Sequence, residues 1–200
     1  MSSPSNQPAA TSGLPRVTVI ACVDEESGLS RGHSIPWNNP LDRAHFRERT
    51  QDGLLVMGSG TFRSMVPEGK SWREIWGDRR PLLVSSTFHP PSIPFAYTLT
   101  EALRWAIEHT AEGAQIWICG GERLYAEALQ NNFVDSIELT VLNGRYDCTS
   151  FFPSIPPRFF RESRRQPLGD AEIVTYERVR GATDLDRLSK VLALEYEGEM

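Results

Sequence analysis

Two hydrophobic patterns alternate along the chain. Short apolar, β-branched runs recur as V-T-V-I-A-C-V, G-L-L-V-M-G, P-L-L-V-S-S, Q-I-W-I-C-G and V-D-S-I-E-L-T-V-L, which have the length and composition of buried strands. Between them lie polar, helix-compatible segments at Pro40 to Arg49, Thr61 to Met65, Leu99 to His109 and Glu122 to Leu129. Parallel strands need a crossover between them, so this alternation predicts an α/β domain with a mostly parallel central sheet and flanking helices. Toward the end the pattern changes. F-F-R-E-S-R-R and E-I-V-T-Y-E-R-V-R are strand-like with no helix between them, which predicts an antiparallel edge hairpin.

The two ends read differently from the middle. Met1 to Pro15 is rich in Ser, Pro, Gln and Ala with little to bury, predicting a disordered leader, and the domain is expected over residues 16–180. In the tail, 181–200, Leu185, Leu188, Val191, Leu192 and Leu194 suit a short amphipathic helix that docks either on the domain or on a partner.

Composition narrows the function classes. In 200 residues, 40% apolar with five Trp and nine Phe, there is material for one core. A net charge of -5, with arginines scattered as Arg79-Arg80 and Arg164-Arg165, argues against a nucleic-acid surface and for a small-molecule partner. Three cysteines cannot all pair, and Cys22 and Cys119 sit inside apolar runs, so reduced core thiols in a cytoplasmic protein are expected. No apolar stretch is long enough for a membrane span. A monomer without a bound metal is the default expectation.

In sheets of this kind, ligands bind beyond the carboxyl ends of the strands. After the first strand, Gly28, Ser30 and Gly32 predict a mobile loop, and Ile35-Pro36-Trp37 anchors its end before a helix starting near Pro40. Asp42 falls in that helix's first turn, with Phe46 four residues on, along the same face. Taken alone, Asp42 is a solvent-facing acid favoured by the helix dipole. Two further turns carry glycine at a strand-to-helix junction, Gly58-Ser59-Gly60-Thr61 and Gly120-Gly121, where backbone N–H groups suit phosphate.

Taken together, these motifs resemble the dihydrofolate reductase family: glycine-apolar-small-basic, then apolar-Pro-Trp, then an acid five residues past the Trp on a helix running on to a Phe. The resemblance spans roughly Arg16 to Arg180. It implies hydride transfer from NADPH to C6 of 7,8-dihydrofolate, with a proton arriving at N5. By the same resemblance, Asp42 binds the pteridine through two parallel hydrogen bonds, Trp37 positions water, Thr140 orients the acid, and Tyr125 reaches toward nicotinamide and pteridine. Ile20 and Cys119 offer backbone carbonyls, and Leu29, Phe46 and Met65 form apolar walls. Cys22 and Leu29 border both ligands. Arg79 clamps the carboxylate of the glutamate tail, with Arg80 as the neighbouring register, and either Trp72 or Trp76 lines the tail of the pocket.

For the cofactor, the resemblance implies Gly58, Ser59, Gly60 and Thr61, then Ser85 or Ser86, then Gly120 and Gly121 joined by a cis peptide, and Glu122, Arg123, Leu124 and Tyr125. The chain departs from the family pattern at Ser30, at Gly32-His33, at Ser59-Gly60 where a basic residue usually follows Met57-Gly58, at Arg43, and at Thr149. NADPH is favoured over NADH, with Arg123 supplying positive charge. Two alternatives stay open: a same-fold reductase of another pterin or pyrimidine, and a catalytically weak paralogue that binds folate or nucleotide.

Overall fold

A computed structural model of the chain describes residues 15–66, 69–111 and 113–179. The expected leader, save Pro15, and the expected tail helix both lie outside the described residues. The strands are β1 (Arg16–Val23), β2 (Gly28–Ser30), β3 (Leu54–Gly58), β4 (Arg80–Val84), β5 (Phe95–Ala96), β6 (Gln115–Ile118), β7 (Ser136–Leu142), β8 (Ser150–Phe151), β9 (Phe160–Leu168) and β10 (Ala171–Arg178). The helices are α1 (Pro40–Arg49), α2 (Ser59–Met65), α3 (Trp72–Trp76), α4 (Leu99–His109) and α5 (Glu122–Gln130).

Eight strands form one sheet in the order β5-β4-β3-β6-β1-β7-β10-β9. Every pair from β5 to β7 is parallel, and β10 pairs antiparallel with both β7 and β9. The predicted architecture, edge hairpin included, is the one found. The hairpin turns at Gly169, whose φ of +64° lies in the left-handed region, and a Cβ there would meet Leu41 of α1 at 2.5 Å.

The sheet buries both faces. Strand periodicity of two sends Val17, Val19, Leu54, Val56, Ile116 and Ile118 to one side, where α4 and α5 pack with Leu103, Ala106, Leu124 and Ala128. Ile20, Leu55, Met57, Trp117 and Cys119 face the other way, toward Phe46, Phe62 and Trp76. The second face is the thinner layer. Its helix α1 has no fully buried residue, which leaves room between helix and sheet.

Four elements were not expected from the sequence. The five-residue α3 starts at Ser71, whose hydroxyl accepts from Arg73 N, and β5 has only two residues; both are too short to show a period. The other two are β2 and β8, which pair where the sequence predicts the loop. Gly28 to Ser30 runs antiparallel to Ser150 and Phe151, and Arg31 bridges Ser34.

Candidate active site

A cavity of about 1120 Å³ opens at the carboxyl ends of β1, β3, β4 and β6, with α1 along one side. That exceeds the usual span for one small-molecule pocket, roughly 300–1,000 Å³, and suits two ligands side by side. Asp42, Phe46, Met65 and Arg79 border it together with Ser59, Thr61, Ser86 and Arg123.

Asp42 is placed by the start of α1. Asn39 caps the helix, its side-chain oxygen accepting from Asp42 N at 3.0 Å, and Pro40 opens the first turn. The carboxyl group is thereby turned inward and half-buried. Burial pushes its pKa above the ordinary aspartate value, opposed by hydrogen bonding from the Thr140 hydroxyl and the Cys22 thiol and by the charges of His45 and Arg43. Cys22 and Thr140 are cross-strand partners on β1 and β7, so both side chains emerge on the same face. Burial, reinforced by the Asp42 charge, raises the Cys22 pKa well above a normal thiol, while a hydrogen bond from Trp37 opposes this. The thiol is therefore a donor at neutral pH. Trp37 in turn sits edge-on to Tyr146, centroids 5.3 Å apart.

Thr140 is only 2% exposed and does not border the cavity, so it acts on the site through Asp42. Tyr125 borders the cavity and is tethered to β1. Its hydroxyl donates to Ile20 O at 2.8 Å, and the ring is buried against Phe152 with one edge on the cavity. The Ile20 carbonyl thus already holds one donor. A Cβ on Gly120 would stand 2.8 Å from that same hydroxyl, and the φ of +102° there independently requires glycine.

At the second turn, the Gly120–Gly121 peptide is cis. Gly58 N donates to Gly120 O at 2.7 Å, so these two groups satisfy each other and are not free for a phosphate. Gly121 borders the cavity and Gly120 does not. Of the other residues at the two turns, Ser59, Gly60, Thr61, Glu122, Arg123 and Leu124 all reach the cavity, and a Cβ at Gly60 would meet nothing within 4 Å. After β4 the two serines separate. Ser85 is buried, its hydroxyl accepting from Phe88 N at 3.0 Å and Thr87 N at 3.3 Å, whereas Ser86 is exposed and uncommitted to that turn.

Arg79, not Arg80, reaches the cavity. Its Nε donates to Trp76 O at 2.7 Å and its Nη2 to Ile75 O at 3.0 Å, fixing the guanidinium on α3. Burial and the like charge of Arg47 hold its pKa below the ordinary arginine value. Arg80 starts β4 and contacts His109 O at 3.5 Å. Trp76, rather than Trp72, lines the cavity beside Arg79. Arg47 escaped the sequence reading although it lies one turn after Arg43 on α1, and Arg43 itself borders the cavity while bonded to Asn38. Tyr97, at the other end, was also missed; it follows a strand too short to recognise.

Two of the departures meet each other. Ser30 Oγ lies 2.5 Å from Ser150 Oγ, Thr149 N donates to Ser30 O at 2.7 Å, and Gly32 N donates to Thr149 Oγ1 at 2.9 Å. Below this junction Asp24 accepts from Gly28 N, Glu26 N and Tyr146 N at 2.7–3.1 Å. Burial raises its pKa, but these donors outweigh burial and leave the carboxylate below its usual range.

Comparison with known proteins agrees with this geometry. The family profile described as dihydrofolate reductase matches residues 16–179. The dihydrofolate reductase of Drosophila melanogaster is 30% identical over 72% of this chain and 82% of its own length, and that of Schistosoma mansoni is 32% identical over 70% and 79%. In fold, the chain is similar to the dihydrofolate reductase of Enterococcus faecalis, solved with NADP(H) and RAB-propyl, with a TM-score of 0.69 and 19% identity over 82% of this chain and 97% of that one. The class defined by this sheet and cavity is an α/β fold with a ligand crevice at its carboxyl edge. The chain belongs to the dihydrofolate reductase family.

Proposed function

We propose that this protein catalyses the NADPH-dependent reduction of 7,8-dihydrofolate to tetrahydrofolate, with Asp42 as the anchor of the pteridine. The observation that carries the reading is a half-buried carboxylate, at a capped helix start, facing a cavity large enough for two ligands and backed by Thr140 and Cys22. An ionised carboxylate there accepts two parallel bonds from the 2-amino group and adjacent ring N–H of a pterin, a charge-assisted arrangement that fixes the ring's orientation.

The residues present fit a nicotinamide dinucleotide. Open backbone at Gly60 and Gly121, the free Ser86 hydroxyl and the exposed Arg123 guanidinium would hold its phosphates, and the bound cofactor supplies the hydride that reaches C6. Arg123 is the cation proposed to favour NADPH over NADH in place of the basic residue missing beside Gly58.

The remaining chemistry rests on the chain. Phe46, Leu29 and Met65 exclude water from the ring faces, and the negative charge of Asp42 raises the proton affinity of the bound pterin, so that N5 takes its proton from solvent water ordered near Trp37. Arg79 and Arg47 receive the carboxylates of the glutamate tail. Among the described residues no helix is long and apolar enough to cross a membrane, and the three cysteines are free.

Steady-state oxidation of NADPH and of NADH with dihydrofolate tests the reading. Turnover with NADPH at a higher kcat/KM than with NADH is expected. No turnover with either cofactor would defeat it.

A further inference from the structure

Helix α1 buries no residue fully, and beside the apolar packing of Phe46 it makes an ionic contact with the sheet. His45 Nε2 lies 2.8 Å from Glu138 Oε1, and Arg49 Nε lies 2.9 and 3.1 Å from the two oxygens of the same carboxylate. The His45 and Glu138 side chains are 11% and 7% exposed, and the Arg49 guanidinium stands over the Trp117 ring at 5.4 Å.

This cluster is continuous with the substrate acid. Glu138 precedes Thr140 by two residues on β7, so both side chains face α1. On α1, Asp42, His45 and Arg49 recur at spacings of three and four along one face. Two polar contacts are therefore stacked between the same helix and strand: Thr140 with Asp42, and Glu138 with His45 and Arg49.

The surrounding charges are few. On α1, Arg43 adjoins Asp42. On β1, the residues opposite Glu138 and Thr140 are Ile20 and Cys22. On β10, Thr175 is opposite Glu138, and the row reaches its next charge at Arg164 of β9. Across the helix–strand seam, His45 and Arg49 thus face the Glu138 carboxylate, and Asp42 lies beside them on α1.

Asp42 has no guanidinium of its own inside the seam, and burial favours its neutral form. A neutral acid loses the charge-assisted pair with the pterin. Glu138, by contrast, has hydrogen bonds from His45 and Arg49, which hold it below the usual carboxylate range against the cost of its burial. The His45 charge also acts on Asp42, lowering its pKa.

We propose that His45 is a positioning residue for Asp42: clamped by Glu138, it stands one helical turn from the substrate acid, and its positive charge keeps that acid ionised. The proposal rests on the reading of Asp42 as pterin anchor.

The test is a carbon-13 carboxyl NMR titration of Asp42 in the full-length protein without ligands, its signal assigned with Asp42→Asn, in the parent, His45→Gln and His45→Phe. Glutamine keeps a donor toward Glu138 but carries no charge, and phenylalanine removes both. The Asp42 midpoint should rise by about one pH unit in both variants, and the pH profile of kcat/KM for dihydrofolate should move in the same sense. An unchanged midpoint in both folded variants, or a rise in the Phe variant alone, would overturn the proposal and leave His45 a packing role. Full activity in Asp42→Asn would defeat the anchor reading instead, and the titration of Asp42 would still decide the electrostatic one.

Discussion

The two ends of the cavity are built on different physical principles. Around Asp42 the polar groups are mostly buried or half-buried and bonded to one another: Thr140 and Cys22 against the acid, His45 and the more exposed Arg49 on Glu138, Tyr125 on Ile20 O. Around Ser59, Ser86 and Arg123 they are half-buried or exposed, and few are bonded to each other. A buried network loses much when one member is removed, because the partner left behind is unsatisfied in a low dielectric. An exposed cradle of turns distributes its contribution over many weak contacts. Substitutions at the first end should therefore be severe and those at the second graded.

The largest effect expected is from Asp42→Asn, which should lower kcat/KM for dihydrofolate by about 10²–10⁴, measured by NADPH oxidation. The same change should raise the melting temperature at neutral pH. A carboxyl whose folded pKa exceeds its unfolded one costs stability once pH is above the unfolded value, and none below it, so the gain should vanish in acid. A loss of stability on this substitution would show that the end is not the tuned, destabilised site described.

Next is Gly120→Ala. Its Cβ would collide with the Tyr125 hydroxyl at 2.8 Å in a backbone conformation alanine avoids, so both soluble yield and NADPH binding by fluorescence titration should fall sharply. Arg79→Gln should raise KM for dihydrofolate by about 10–100-fold with kcat nearly kept, since the lost bond is made equally in ground and transition states. Smaller still, Ser86→Ala and Arg123→Ala should each weaken NADPH by roughly 3- to 10-fold while leaving NADH unchanged. Equal losses for the two cofactors would remove the distinction between these groups and the rest of the cradle.

The smallest effect expected at neutral pH on chemistry, though not on stability, belongs to Glu138→Gln. The folded pKa of Glu138 lies below its ordinary value, so its contribution is present above the usual glutamate range and is lost as pH falls through the folded pKa. The melting-temperature gap between parent and variant should thus be widest near neutrality and close in acid. A gap independent of pH would mean that Glu138 acts by shape and not by charge.

Much of this was legible in the chain. Helices α1 and α4 begin and end where polar periodicity and caps place them, and the mostly parallel sheet follows from the alternation of elements. What escaped was short or long-range. Pairing of Gly28–Ser30 with Ser150–Phe151 joins segments some 120 residues apart, so the glycines looked like pure flexibility and Ser30 and Thr149 looked like unrelated departures. His45 and Glu138 are ordinary surface-type residues in a linear reading, and no spacing rule brings residue 45 beside residue 138.

The sequence by itself determined the order of elements and the runs apolar enough to be buried strands, since local propensity and pattern act between near neighbours, while the family resemblance supplied the expected pterin residues. Only the tertiary structure decided which groups are free to act. It bonded Gly58 N to Gly120 O, Ser85 to its own turn, and Tyr125 to β1, and left Ser86, Arg79 and Asp42 facing the cavity. The physical reason is that a hydrogen bond or a desolvated charge depends on where the partner stands in space, and packing alone brings those partners together.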